Sequence, residues 1–222
     1  MIIDLREYTY HPAKFRKFLK SYEEFGFALT SKHLGKTLGI LRAESGVQNR
    51  TFQFFMYESS THRDTCRRGM IADPAWGEFV KIDGDALLQQ KNTLLIPTDY
   101  SPVGGSAPAP VLNRQGPNRL FELRTWAARP ESGEALSALM ADGGAALLAR
   151  HDPDVIGWFT ADTGEDHRLM RMSAYANATE RDNARDAAIA DPDVRELYAR
   201  VRSLVTIEER QLLLPMDYSP LR

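Results

Sequence analysis

Cysteine is almost missing from this chain of 222 residues, in which Cys66 stands alone. One cysteine cannot form a disulfide within the chain, and such scarcity is typical of proteins in a reducing compartment. Long apolar runs are missing too: no stretch of about 18 apolar residues occurs, so we expect no membrane-spanning helix. Basic charge is not in excess either, since 28 Lys and Arg face 30 Asp and Glu. This balance argues against nucleic acid or a membrane as a partner.

Motifs that define several common enzyme classes are missing as well. No glycine-rich loop follows a strand in the pattern that holds a dinucleotide or a phosphate. The sequence predicts no metal, because no ligand spacing links its histidines, which are His11, His33, His62, His151 and His167. No cofactor is predicted, although haem bound through a single histidine stays open, because one axial ligand leaves no spacing pattern. The N-terminus shows no basic segment followed by an apolar stretch, so we expect a cytoplasmic protein.

What the chain does contain is an internal repeat with an offset of 118 residues. The motif Asp-Tyr-Ser-Pro at 99–102, for example, returns at 217–220. Aligned without a gap, residues 1–104 and 119–222 agree at 28 of 104 positions. Unrelated chains would agree at about 6. We therefore predict two similar units, 1–103 and 119–222, joined by a linker at 104–118 that is rich in Gly, Pro and Ala.

The order of elements inside each copy predicts the fold class. The first copy reads as a strand at 2–10, a helix opened by Pro12 that ends near His33, strands at 38–44 and 51–58, a helix at 62–71 capped by Ser60 or Thr61, a helix from Pro74 capped by Asp73, and a strand at 92–98. The apolar face of the long helix is predicted to hold Phe15, Phe18, Leu19, Tyr22, Phe25 and Leu29. This order is the ferredoxin-like βαββαβ arrangement, so the predicted class is α+β.

The first strand of each copy has one apolar and one polar face. Ile3 and Leu5 lie on the apolar face, which we expect to meet the helices. The other face is expected to point away from the helices and to lie between the sheets of the two copies; it holds Asp4, Arg6 and Tyr8, repeated as Glu122, Arg124 and Trp126. Two interpretations stay open. The charges pair with each other within and across the copies, or a polar cavity between sheet and helices binds a small anionic or phenolic ligand.

His33 is the leading candidate for proton transfer. It lies at the C-terminal end of the long helix and is repeated as His151. One hypothesis makes it an acid or base at the mouth of the cavity. The other makes it a cap that bonds the last carbonyls of the helix.

A second candidate group lies near the start of the following helix. An arginine there opposes the helix dipole, so we expect Arg63, repeated as Arg181, to be held by a carboxylate such as Asp4 or Glu7, or by an anionic ligand. Tyr57 and its repeat are expected to point into the barrel with Tyr8. Predicted catalytic residues are thus His33, Tyr57 and Arg63; predicted ligand contacts are Arg6, Tyr8, His62, Trp76, Arg124, Trp126, His151 and Tyr175.

Five segments of the first copy together resemble the NIPSNAP family. They are Leu-Arg-Glu-Tyr-Thr-Tyr at 5–10, Ser-Lys-His-Leu-Gly at 31–35, Tyr-Glu-Ser-Ser-Thr-His-Arg at 57–63, Asp-Pro-Ala-Trp-Gly-Glu-Phe at 73–79 and Ile-Pro-Thr-Asp-Tyr-Ser-Pro at 96–102. The resemblance covers the first copy and, more weakly, the second. It implies the dimeric α+β barrel superfamily, in which two ferredoxin-like units join their antiparallel sheets into one barrel, here within one chain. That superfamily includes cofactor-free monooxygenases, polyketide cyclases, haem-handling proteins and stress-response proteins.

The resemblance implies a cofactor-independent enzyme of the cyclase or monooxygenase type that acts on a small carbonyl or aromatic metabolite. The alternative is a non-catalytic ligand-binding or assembly protein. Because the first copy holds more aromatic and polar side chains, we expect it to line the pocket and the second copy to close it. The long helix of the second copy is rich in Ala and Gly, which leaves open a homodimer of the fused chain.

Overall fold

The fold is taken from a computed structural model of the chain. It describes residues 1–105, 119–152, 154–164 and 167–222, without the side chain of Asp83. Most of the predicted linker, residues 106–118, lies outside the described residues.

Each copy forms four strands, with helices on one side. The first copy contains β1 (Ile2–Tyr10), α1 (Phe15–Ser21), a π turn (Tyr22–Gly26), α2 (Phe27–His33), β2 (Lys36–Ala43), β3 (Arg50–Tyr57), α3 (Ser60–Ala72), α4 (Pro74–Asp83) and β4 (Leu87–Pro97). The second contains β5 (Leu120–Ala128), α5 (Gly133–Leu139), a π turn (Met140–Gly144), α6 (Ala145–Ala149), β6 (Val155–Ala161), β7 (Arg168–Tyr175), α7 (Ala178–Ala190), α8 (Pro192–Leu204) and β8 (Val205–Pro215). Among the described residues, no helix is both long and apolar enough to cross a membrane.

The eight strands close into one antiparallel barrel, in the order β1-β3-β2-β8-β5-β7-β6-β4. The two copies meet edge to edge, where β2 pairs with β8 and β4 pairs with β6. Joining the copies in this way removes the free sheet edges that each unit would otherwise expose. The predicted fold class, two ferredoxin-like units that form an intrachain barrel, is confirmed.

The prediction for the two faces of β1 was wrong. Ile3 and Leu5 point into the barrel, where they pack with Phe121 and Leu123 from the second copy. The charged face, which carries Asp4 and its neighbours, points to the helices. A barrel of eight strands has an interior just wide enough to be filled by side chains, so the apolar face of every strand is needed there. The charges then find partners in the layer between sheet and helices.

The long helix also differs from a regular α-helix. The π turn at Tyr22–Gly26 accommodates an extra residue in the turn and shifts the face that follows it. Phe25, expected on the apolar face, is therefore 61% exposed. The cap of α3 is Ser59 rather than Ser60 or Thr61, because the Ser59 hydroxyl accepts the backbone N–H of His62 at 3.1 Å.

The repeated Asp-Tyr-Ser-Pro motif joins each copy to a strand of the other. The hydroxyl of Ser219 accepts the backbone N–H of Ile40 in β2, and that of Ser101 accepts the N–H of Trp158 in β6, both at 3.0 Å. The residue two positions after each serine, Val103 or Leu221, is buried in the core of the barrel. The motif therefore holds the two copies together.

Candidate functional site

Asp4 is the centre of a buried ionic cluster between the sheet and the helices of the first copy. Its Oδ2 accepts Arg6 Nε at 2.9 Å from the same strand and Arg63 Nε at 2.8 Å from α3. Its Oδ1 accepts the amide of Asn92 at 3.2 Å. Burial raises the pKa of Asp4, but the two arginines outweigh burial and bring the pKa below its ordinary value. Asp4 is thus a fixed carboxylate that holds two guanidinium groups.

Arg6 has a side-chain nitrogen without a hydrogen-bond partner among the described residues. Only 4% of the residue is exposed, and its Nη2 has no hydrogen-bond partner among the described residues. Burial lowers the pKa of Arg6, but Tyr8, Asp4 and Tyr57 act in the opposite direction and leave that pKa above its ordinary value. Arg6 is therefore a buried cation that lies beside Tyr8 and keeps one donor, Nη2, without a partner among the described residues.

A cavity of about 180 Å³ opens beside Arg6, between β1, the long helix and α4. Its walls are mainly aromatic, with a few amide and hydroxyl groups: Tyr8, Tyr10, Phe18, Tyr22, Thr30, Gln53, Trp76, Phe79, Val80, Gly84, Leu87 and Gln90 complete the lining. Aromatic walls with a small number of polar groups are typical of small-molecule sites. Among the described lining residues there is no carboxylate and no imidazole.

Tyr22 connects the polar end of this cavity. Its hydroxyl lies 2.9 Å from the Thr30 hydroxyl and 3.4 Å from Oε1 of Gln53. Burial raises the pKa of Tyr22 well above its ordinary value, so the phenol stays protonated. Tyr22 is therefore a neutral hydrogen-bonding group, not a base.

The second copy fills the corresponding space with its own side chain. Val80 of α4 corresponds to Tyr198 of α8. The Tyr198 hydroxyl accepts Arg124 Nη1 at 2.5 Å, and its ring centroid lies 4.8 Å from the guanidinium carbon. Arg124 also donates Nε to Glu208 at 2.7 Å, where the first copy has Gln90. The repeated arginine is thus saturated in the second copy and partly unused in the first.

The acid of the second copy has a single arginine. Glu122 Oε2 accepts Arg181 Nε at 2.8 Å and Nη2 at 2.6 Å. Trp126, the counterpart of Tyr8, stacks on Trp158 with ring centroids 5.6 Å apart. Among the described residues, the ion pairs of these acids and arginines lie within one copy, so the expected pairs across the copies are not seen.

Comparison with known proteins decides the family. The NIPSNAP family model matches residues 3–102 and again residues 121–220. The chain belongs to the NIPSNAP family. Human Protein NipSnap homolog 3A is 22% identical over 224 residues, which cover 99% of this chain and 85% of that protein.

Two solved structures show how a NIPSNAP tandem relates to other barrels. An anthrone oxidase-like protein is 12% identical, with a TM-score of 0.64 over 100% of this chain and 94% of that one. A monooxygenase-like protein of Fusobacterium nucleatum is 9% identical, with a TM-score of 0.67 over 97% and 92%. At these identities the likeness shows the fold alone.

The predicted site residues of the NIPSNAP chain separate into three places. Arg6, Tyr8 and Trp76 line the cavity, whereas Tyr57 packs against Leu34 and Met70 on the helix side of the sheet, not in the barrel as expected. His62 contacts the edge of the Tyr57 ring, with centroids 5.8 Å apart. Arg63 is not among the described lining residues; it bonds Asp4, which in turn bonds Arg6 in the lining. In the second copy, Arg124, His151, Tyr175 and Arg181 line a separate cleft.

His33 joins two helices. Its Nε2 lies 2.7 Å from Oδ2 of Asp73, the residue that caps α4 through the backbone N–H of Ala75 at 2.9 Å. His151 repeats the contact with Asp191 at 2.8 Å. Lys32, then His33, lower the pKa of Asp73 well below its ordinary value. His33 is not among the described residues that line the cavity. Its role in proton transfer therefore stays a prediction, whereas its contact with Asp73, which joins the two helices, is observed.

Sequence reasoning missed most of the aromatic wall, including Tyr10, Phe18, Tyr22 and Phe79. These residues follow the apolar pattern of a core helix or strand, so nothing in that pattern marks a cavity. The differences between the copies did indicate the cavity, because the first copy has the smaller Val80 at the position where the second copy has Tyr198. Among the described residues, no group of three His, Cys, Asp or Glu is placed to hold a metal ion.

Proposed function

We propose that the first copy binds a small phenolic or enolic metabolite on Arg6, and that Arg6 stabilises the ionised oxygen of this ligand for a reaction without a cofactor. The observation that carries the proposal is the contact between Tyr198 and Arg124. The second copy places a phenol on the repeated arginine with its own side chain. In the first copy the same position is Val80, and a cavity lies beside an arginine with an unused donor.

The size of the cavity supports a ligand with one ring or a small fused ring. A cavity of about 150 Å³ in another protein accepts benzene. The space of about 180 Å³ here is similar, and the rings of Trp76 and Phe79, which contact each other with centroids 5.6 Å apart, form part of its wall. Aromatic walls favour a planar ligand through offset stacking.

The charge of Arg6 supports the proposed chemistry. An opposite charge close to an acid favours its ionised form, so Arg6 opposes the burial that raises the pKa of a phenol in this cavity, as it does for Tyr22. The resulting anion is electron-rich and is the reactive form in oxygenation by O₂ and in ring closure onto a carbonyl. Because the described lining holds no carboxylate or imidazole, the site contributes stabilisation of the anion, not a general base.

The test uses 4-methylphenol, which is the side chain of tyrosine as a free molecule. Calorimetry should show saturable binding of 4-methylphenol to the intact chain and at least tenfold weaker binding of 4-methylanisole, which has no O–H. Val80→Tyr, which installs the residue of the second copy, should abolish binding. Val47→Tyr is the matched control, because Val47 is 52% exposed and lies outside the cavity. Equal binding by both tyrosine variants would refute the site.

A second measurement separates catalysis from binding. For 4-nitrophenol, whose anion absorbs visible light, the apparent pKa should fall on binding because Arg6 stabilises the anion; a rise would mean that burial outweighs Arg6 and would contradict the proposed role of this arginine. Oxygen uptake or product formation with phenols that bind would support the enzyme. A bound, ionised ligand that is never converted would favour the alternative, a non-catalytic ligand-binding protein.

A further inference from the structure

The second copy contains a cleft that differs in chemistry from the aromatic cavity of the first. It encloses about 50 Å³ between β5, β7 and the helices of its copy. Five arginines and two carboxylates are among the described residues that line it, and four of the arginines also pair with carboxylates outside the lining: Arg124 and Arg210 with Glu208, and Arg181 and Arg185 with Asp182. Arg124 and Arg171 are buried and Arg181 is half-buried, whereas Arg185 and Arg210 are exposed. The planar fork of a buried guanidinium group suits an oxyanion.

Three charged residues of this cleft have no charged counterpart in the first copy. Arg171 corresponds to Gln53, and Asp152 corresponds to Leu34. Arg210, a third member of the lining, corresponds to Asn92. The general ionic cluster of the fold needs none of these three, because the first copy forms it without them.

Two buried groups of the cleft are incompletely bonded. Arg171 is 5% exposed and contacts Asp152 Oδ2 through Nη2 at 3.1 Å, but its Nε has no partner among the described residues. Asp152 Oδ2 also accepts Ser173 at 2.6 Å and Tyr175 at 3.1 Å, while its Oδ1 has no partner in the same part of the chain. Buried polar atoms are seldom left unpaired, so a donor and an acceptor in one cleft indicate a missing occupant.

We propose that this cleft binds a small oxyanion of the phosphate class. A space of about 50 Å³ has room for about three water molecules, taking about 15 Å³ for each, or for one compact anion. A protonated phosphate carries both acceptor oxygens for Arg171 and a P–OH donor for Asp152. Sulfate is similar in size and has no O–H at neutral pH, so the cleft should prefer phosphate.

The experiment is calorimetric titration of the intact chain near pH 6.5 at constant ionic strength, with inorganic phosphate, with phenyl phosphate and with sulfate. We expect saturable binding of phosphate, and sulfate at least tenfold weaker. If phenyl phosphate binds as tightly as inorganic phosphate, the occupant is the terminal phosphate group of an organic ester. Exclusion of phenyl phosphate would identify the free ion. Equal affinity for sulfate, or no saturable phosphate binding, would overturn the proposal.

Variants then locate the site. Arg171→Gln, which installs the residue of the first copy, should weaken phosphate binding at least tenfold. Arg195→Gln is the matched control, because Arg195 is exposed on α8 outside the cleft. If Arg171→Gln does not fold, Arg210→Asn serves in its place, since Arg210 lies nearer the surface, and a loss of several-fold is expected. Equal weakening by the control would show non-specific attraction to surface charge and refute the site.

Discussion

Replacing Asp4 by Asn tests whether the first copy holds its arginines as buried, neutralised cations. Asp4 is fully buried and bonds both Arg6 and Arg63. Asn keeps the size of the side chain but removes its charge, so the buried Arg6 loses its ion-pair partner and the half-buried Arg63 keeps only the more distant Asp64 at 3.6 Å among the described residues. Breaking a buried ion pair in this way costs about 3–5 kcal/mol of unfolding free energy. With a urea dependence of about 3 kcal/mol per molar, the unfolding midpoint should fall by about 1–1.7 M.

The assay is urea unfolding at pH 7, followed by circular dichroism and tryptophan fluorescence. Glu122→Gln is the matched control in the second copy and should cost less, because Glu122 bonds one arginine, Arg181, whereas Asp4 bonds both Arg6 and Arg63. A loss below about 1 kcal/mol for Asp4→Asn would mean that these cations are solvated. That result would refute the picture of Arg6 as a buried cation ready for a ligand.

The same variant has a pH signature. The pKa of Asp4 in the folded chain is below its ordinary value of 3.8. A lowered folded pKa contributes stability that is present above the unfolded value and is lost as the pH falls through the folded value. The difference between wild type and Asp4→Asn should therefore be constant near neutral pH and shrink below about pH 4.

Three further predictions concern other parts of the molecule. Tyr198→Val should open space beside Arg124, cost about 0.5–3 kcal/mol because Tyr198 is half-buried, and let added 4-methylphenol restore part of the lost melting temperature; no effect of the phenol would count against the correspondence of the two copies. Ser219→Ala should leave a buried backbone N–H of β2 without a partner and cost about 1–3 kcal/mol by urea unfolding, whereas a neutral result would deny that the motif joins the copies. Lys32 and His33 lower the pKa of Asp73 in the folded chain, so this carboxylate adds stability that is lost as the pH falls below its ordinary pKa of 3.8. Asp73→Asn should therefore show a smaller decrease in melting temperature at acid pH than wild type, and an equal decrease would contradict this.

The repeat made the fold predictable to the level of the barrel. Residues kept in both copies, such as Ser101 and Ser219, make equivalent contacts across the pseudo-twofold axis. Which face of each strand points into the barrel was not predictable from the repeat. Alternation in β1 shows that Ile3 and Asp4 lie on opposite faces, but both faces of this strand are buried, so the pattern alone does not say which one meets the helices.

The candidate site depended on differences between the copies more than on shared residues. Arg6 and Arg124 occupy the same position in their strands. Arg124 bonds the hydroxyl of Tyr198, whereas Arg6 lines a cavity. That distinction depends on the pair Val80 and Tyr198, each ordinary for its helix. Packing around the arginine, which no local pattern encodes, decides whether the space is filled.

We propose that the first copy accepts on Arg6 the phenol that the second copy supplies to Arg124 from Tyr198. A crystal structure of the chain with 4-methylphenol would show whether it does. We expect one ring in the cavity between Trp76 and the long helix, with its oxygen at hydrogen-bond distance from Nη2 of Arg6. An empty cavity at saturating ligand, or a ring bound with its oxygen away from Arg6, would contradict it.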